Sequence, residues 1–217
     1  MNEHDYEPVP GLPAPLPPGE DILWQGAPCW RSMALRGMRV RQFAIYFAVL
    51  AAWGVLGGLS AGTPVSDVAL STVRLGALAV VALALLALFA WLVARTTLYT
   101  ITTRRVVMRL GIALPMTLQI PFTRIDGADL RTWCDATGDI ALTLRAGERV
   151  AYLVIWPHAR PWKIARPLPS LRAVADAASV ARILGRALAA SAAQPAKSVT
   201  VALPGETAAG ARIPAAA

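Results

Sequence analysis

Few side chains in this 217-residue sequence are of the types that make and break bonds, and their spacing argues for contact rather than catalysis. There are two histidines, His4 and His158, and two cysteines, Cys29 and Cys134. The cysteines have neither CxxC spacing nor a neighbouring histidine to complete a metal site, and both read as free thiols. No serine or cysteine sits in a nucleophile motif, and no glycine-rich loop precedes a helix as phosphate cradling requires. Asp126, Asp129, Asp135 and Asp139 cluster in sequence. Two of them fall on an expected strand and two in a turn, so solvated positions explain them better than a bound cation. His158, between Pro157 and Ala159 in a polar, proline-punctuated loop, is expected at the surface. No catalytic, metal or cofactor-binding residue is expected, and an enzyme is disfavoured. What the loop around His158 offers is adhesion. Trp156, Arg160, Trp162, Lys163 and Arg166 combine rigid aromatic area with positive charge, the mix enriched at interaction hot spots, and their prolines reduce the entropy lost on docking. The same residues would form a Trp/Arg belt resting on lipid, so a protein partner and a lipid surface both stay open.

The elements that must position this loop begin with two long stretches free of charge, residues 42–66 and 75–94. At about 1.5 Å per residue, roughly twenty apolar residues cross a hydrocarbon core, so these read as a two-helix transmembrane hairpin over 42–94. Composition agrees: mean hydropathy is +0.50 and only 16% of residues are charged. Arginines crowd the flanks of the spans, with Arg31, Arg36, Arg39 and Arg41 before the first and Arg95, Arg104, Arg105 and Arg109 after the second. The connecting segment, 62–74, holds Arg74 alone. Retention of positive charge on the cytoplasmic side predicts a multi-pass inner-membrane protein with both termini cytoplasmic. Arg36, Arg39, Arg41, Arg95, Arg104 and Arg105 are then expected to face anionic lipid, which accounts for the net charge of +8 without nucleic acid. Gly54, Gly58 and Gly62 recur at intervals of four and predict a close helix contact, either with the second span's Ala79, Ala82, Ala87 and Ala90 or with another copy. Neither span carries an ionisable residue, which argues against a transporter or proton relay.

Before the hairpin, residues 8–18 are too proline-rich for helix or central strand, so 1–27 reads as an extended cytoplasmic arm. Residues 28–41 read as a basic interfacial segment. No cleavable signal peptide is expected, because the first thirty residues are acidic and proline-rich. Beyond the hairpin, period-two alternation predicts seven short strands over 95–190: residues 97–102, 106–110, 118–122 (at an edge, because Pro121 lacks a donor), 125–133, 140–145, 150–155 and 171–174. Asp176 is the expected N-cap of a closing helix from 177 to about 190, with Val180, Ile183, Leu184, Ala187 and Leu188 on its apolar face. The Ala/Pro-rich tail, 191–217, has little to pack and is expected to be disordered.

Seven strands and a closing helix directly after a two-helix anchor resemble the bacterial pleckstrin-homology-like domains of small membrane proteins. The likeness rests on Leu98-Tyr99-Thr100-Ile101-Thr102-Thr103-Arg104-Arg105, on Gln119-Ile120-Pro121-Phe122-Thr123-Arg124-Ile125, on Gly138-Asp139-Ile140, and upstream on Gly19-Glu20-Asp21-Ile22-Leu23. Trp156-Pro157-His158-Ala159-Arg160-Pro161-Trp162, followed by Pro169-Ser170-Leu171-Arg172-Ala173-Val174, is similar more narrowly to the PuhB family of reaction-centre assembly proteins of purple photosynthetic bacteria. The resemblance covers roughly residues 8–190. It implies a membrane-anchored α+β protein: a transmembrane hairpin, then a seven-stranded antiparallel β-sandwich or barrel capped by a C-terminal helix. It also implies a non-catalytic, chaperone-like role in assembling the photosynthetic reaction centre and its light-harvesting complex, through subunits or intermediates bound at the cytoplasmic face. Three spans have been proposed for that family; only two are visible here, residues 30–41 being too charged for a third. Pigments in such partners can be held by imidazole, yet the setting of His158 favours a surface residue over a ligand. The competing expectation is a membrane-anchored lipid-binding or generic interaction module of the same fold, with Arg104, Arg105 and Arg109 reading headgroups.

Overall fold

The computed structural model describes residues 12, 14–112, 115–145, 151–159 and 167–193. Two helices dominate its length, α2 (Val40–Ser60) and α3 (Val65–Thr96). Both are long and apolar enough to cross a membrane. At 32 residues α3 runs to roughly 48 Å, well beyond a hydrocarbon core of about 30 Å. The connection between them is shorter than expected: Arg74 lies inside α3, and the turn closes at Gly62, whose φ of 69° suits a residue without Cβ.

Around this pair stand two antiparallel sheets. One has the order β1-β2-β3-β4, built from β1 (Ile22–Gly26), β2 (Leu98–Thr102), β3 (Arg105–Leu110) and β4 (Met116–Pro121). The other has the order β5-β6-β7, from β5 (Ile125–Thr132), β6 (Gly138–Leu144) and β7 (Ser170–Val174). Pro121 closes β4 at an outer position, as its missing donor demands. Tyr99, Ile101, Val106 and Met108 of the first sheet meet Ile140, Leu142, Leu171 and Val174 of the second in one fully buried core. The closing helix α5 (Ala177–Ala193) adds Val180, Leu184 and Ala187, and packs on β5 and β6. Its first turn is capped by Asp176, whose carboxylate accepts from the Ser179 amide at 3.4 Å.

Among the described residues the strands number seven, as in the sequence reading, but the membership differs. Residues 22–26, assigned to the arm, form β1 and pair with β2 from the far side of the helix pair, Gln25 opposite Thr100 and Gly26 opposite Tyr99. The pair is therefore an insertion within a sheet rather than a stalk preceding a domain. Conversely, Tyr152–Ile155 is a single helical turn, α4, instead of the strand expected over 150–155. Residues 146–150, which join the strands expected over 140–145 and 150–155, lie outside the described residues.

The segment expected to be basic and interfacial, 28–41, is helical over most of its length and packed on one side. Trp30–Ser32 begins a short helix, α1, which continues as a π-helical turn over Met33–Gly37 and ends at Arg39, whose left-handed φ of 55° sets the corner into α2. Met33, Ala34 and Met38 are buried against Ala90 and Val93 of α3 and Ala173 of β7. The Cys29 amide donates to the Ala173 carbonyl at 2.8 Å. One side of residues 28–38 thus packs against protein, as a wedge between the end of α3 and the second sheet, while Trp30 and Leu35 stay exposed.

Candidate functional site

The adhesive loop begins where α4 ends. Trp156 is half-exposed and its indole stacks on Phe89 of α3, with centroids 5.6 Å apart and planes at 29°. The Trp156-Pro157 peptide is cis. Directly after it the chain dives inward, and His158, expected at the surface, is 1% exposed. Its carbonyl accepts from both the amide and the hydroxyl of Ser170, at 2.8 and 2.7 Å, and Ala159 bridges to Pro169. The first residues of the loop are therefore fixed at one end to a long helix and at the other to β7. Arg160, Trp162, Lys163 and Arg166 lie outside the described residues.

Burial of His158 is made tolerable by a continuous hydrogen-bond chain. The Arg172 amide donates to the Tyr99 hydroxyl oxygen at 3.2 Å, and that hydroxyl lies 2.6 Å from His158 Nδ1. On the far side, Nε2 lies 3.2 Å from Thr97 Oγ1. Every group is satisfied when Tyr99 donates to Nδ1 and the proton on Nε2 is offered to Thr97, so the imidazole is neutral in a single tautomer. Desolvation pushes its pKa down to about 3, with the Arg172 charge adding to the effect. Desolvation likewise drives the Tyr99 hydroxyl far above its ordinary range. Arg172 is held by the Pro157 carbonyl at 2.9 Å and lies 3.7 Å from Asp139, which also accepts from the Ala173 amide at 2.8 Å. With both ring nitrogens engaged, His158 has no lone pair to offer a metal or pigment; its role is to lock the loop onto the sheet.

The basic residues divide. Arg105, expected to face lipid, forms a forked pair with Glu20, its Nε at 2.8 Å and Nη2 at 2.9 Å. Glu20 is nearly buried and also accepts from Thr102 Oγ1. Arg36 is likewise committed, to Asp135 at 2.9 Å and to the hydroxyls of Ser32 and Thr137. Its pairing holds the Asp135 carboxyl below the usual range. Two guanidinium groups, of Arg36 and Arg131, stack on the Trp133 ring at 4.7 and 4.3 Å. Arg39, Arg41, Arg95 and Arg104 are exposed, Arg95 lying over the Trp91 ring at 5.3 Å. Arg109 is buried.

Of the glycine stripe, only Gly58 approaches the second long helix: a Cβ there would come within 2.7 Å of Val68. Gly54 faces open space, and Gly62 forms the turn. Among the described residues no group of three or more His, Cys, Asp or Glu side chains could hold a metal. Asp126 and Asp139 face arginines instead, as Asp135 does, Asp126 pairing with Arg145 at 3.2 Å. Sequence reasoning missed Glu20, Tyr99 and Arg131. No local signal marks them, because each acquires its role from a partner or wall supplied by another segment.

Comparison with known proteins agrees with this architecture. The bacterial PH domain family matches residues 45–188, a stretch that contains most of the helix pair and every strand except β1. An uncharacterized 23.7 kDa protein in the puhA 5′ region of Rhodobacter capsulatus is 41% identical over 192 residues, covering 86% of this chain and 89% of that protein. No solved structure matches. Both matches bear out the resemblance read from the sequence, and with more than half its length covered by the first, the chain belongs to the bacterial PH domain family.

Proposed function

We propose that this protein is a membrane-anchored, non-catalytic assembly factor for the photosynthetic reaction centre and its light-harvesting complex. The observation that carries the reading is the 41% identical relative encoded in the 5′ region of puhA, a reaction-centre gene. The helix pair crosses the inner membrane twice, and the sheets lie on the cytoplasmic face beside the arginine-rich ends. Pairing of β1 with β2 supports that topology, since it keeps both ends of the helix pair at one sheet.

Trp156 supports the contact role. It is large, half-exposed and held on α3, so little side-chain entropy is left to lose when a subunit covers it. By sequence the loop continues with Arg160, Trp162, Lys163 and Arg166. Tethering raises the effective concentration of weak contacts with a subunit in the same membrane. Replacing Trp156 and Trp162 with alanine is expected to lower the yield of assembled reaction centre, read from the absorption of isolated membranes, while leaving the protein's own level unchanged. Normal assembly in that strain would refute the role of the loop. Failure of a mild-detergent pull-down to recover any reaction-centre or light-harvesting subunit would refute the assembly role itself.

A further inference from the structure

Three distant segments meet in an open cleft of about 800 Å³ between the start of α2 and the second sheet. Arg36, Arg39 and Arg41 come from the helical corner, Arg131 from β5 and Arg172 from β7, against Asp129 and Asp139. Even with Asp135 set against Arg36, the wall keeps a positive balance. The arginines are not equivalent. Arg36 and Arg172 are tied to Asp135 and to the Pro157 carbonyl, which makes them a fixed field. Among the described residues Arg131 is engaged through the flat face of its guanidinium, by Trp133, which leaves its N–H edge as a fork of donors. Arg41 is exposed and makes no ion pair among the described residues.

Gln42 and Ser170 add two uncharged polar groups, and the rest of the lining is mostly apolar. Leu35, Ile45 and Leu130 are each between 43% and 52% exposed, and Ile45 is one helical turn beyond Arg41 along α2. Along a rise of about 6 Å the wall thus passes from guanidinium groups to the flank of a helix apolar enough to enter a bilayer. A phospholipid has that same order of polarity, a phosphodiester followed by acyl chains.

We propose that this cleft is a binding site for the headgroup of an anionic phospholipid, its phosphate held by Arg41 and Arg131 and its acyl chain running over Ile45. The site differs from the arginines of β2 and β3, because Arg105 is already closed by Glu20. It rests on the membrane placement proposed above but not on the assembly role. Occupancy would also pin the corner at Arg39 to the second sheet, so lipid would stiffen the mount of the whole domain.

The test uses the full-length protein in nanodiscs of phosphatidylcholine containing either spin-labelled phosphatidylglycerol or spin-labelled phosphatidylcholine. Incorporation into the discs is measured first, and a chain that does not insert overturns the membrane placement. For inserted wild-type protein, immobilisation of the phosphatidylglycerol label several-fold above the phosphatidylcholine label is expected, and equal immobilisation overturns the cleft. Arg41→Gln with Arg131→Gln should bring that several-fold preference down to near parity, whereas Arg182→Gln with Arg186→Gln on the outer face of α5 should leave it unchanged. Undiminished preference in the first double variant refutes the assignment. Displacement of the label by millimolar inorganic phosphate as effectively as by unlabelled phosphatidylglycerol would show a free-phosphate site and refute the lipid claim.

Discussion

The two ends of α3 face different worlds. At its carboxyl end Ala90 and Val93 are buried in one cluster with Met33 and Ala173, Ala94 is buried as well, Phe89 carries Trp156, and the chain soon enters β2. At its amino end only Val68 is buried, under Gly58, and the other side chains of the first turns stay outside any packed core. One end is joined to the domain as firmly as a core element; the other is available to whatever surrounds it. In the membrane placement proposed above, position relative to the bilayer is set at the base of the helix pair, and its tip is left to lipid or to other helices.

That contrast can be broken at the base. Met33→Ala opens a cavity in a fully buried cluster and should cost about 2–5 kcal/mol in a thermal melt of the detergent-solubilised protein, whereas Leu56→Ala, two-thirds exposed on α2, should leave the melt unchanged. Equal effects would show that the wedge of residues 28–38 is not what holds the base. Acid should loosen the same region. His158 titrates near 3 when folded and near 6.5 when unfolded, so the unfolded chain takes the proton first and stability falls as the pH drops below about 6.5. Between pH 7 and pH 5 this amounts to roughly 2 kcal/mol, and His158→Gln should remove that part of the slope; an unchanged slope would place the titration elsewhere. The tip gives the smallest response. Gly58→Leu must displace Val68 and should cost about 1 kcal/mol, while Gly54→Leu meets nothing within 4 Å and should be neutral in the melt. Loss of a crosslinked oligomer on Gly54→Leu would show that the open part of the stripe docks a second copy.

Local periodicity made much of this fold legible. The alternation of Ile140, Leu142 and Leu144, the edge position of Pro121 and the apolar stripe of α5 depend only on near neighbours in the chain. Strand β1 was hidden because its partner lies beyond both long helices: Gln25 bonds to Thr100, 75 positions away. The apolar run at 152–155 fits a helical turn as well as a strand, and such short runs carry no period that separates the two. His158 misled for a related reason. Its polar, proline-rich surroundings describe the chain on either side of it, while its burial is decided by Tyr99 and Thr97, about sixty residues away. Likewise the sign of Arg36 and Arg105 was evident, but their carboxylates sit 99 and 85 residues distant.

Because the chain leaves the first sheet after β1 and rejoins it only after α3, synthesis delivers one half of a strand pair long before the other. Until the round trip is finished, β1 has no partner and presents an unpaired row of amides and carbonyls, the kind of edge that invites aggregation. In the membrane placement proposed above, pairing of β1 with β2 would thus report that both long helices have gone in and come back to the same face.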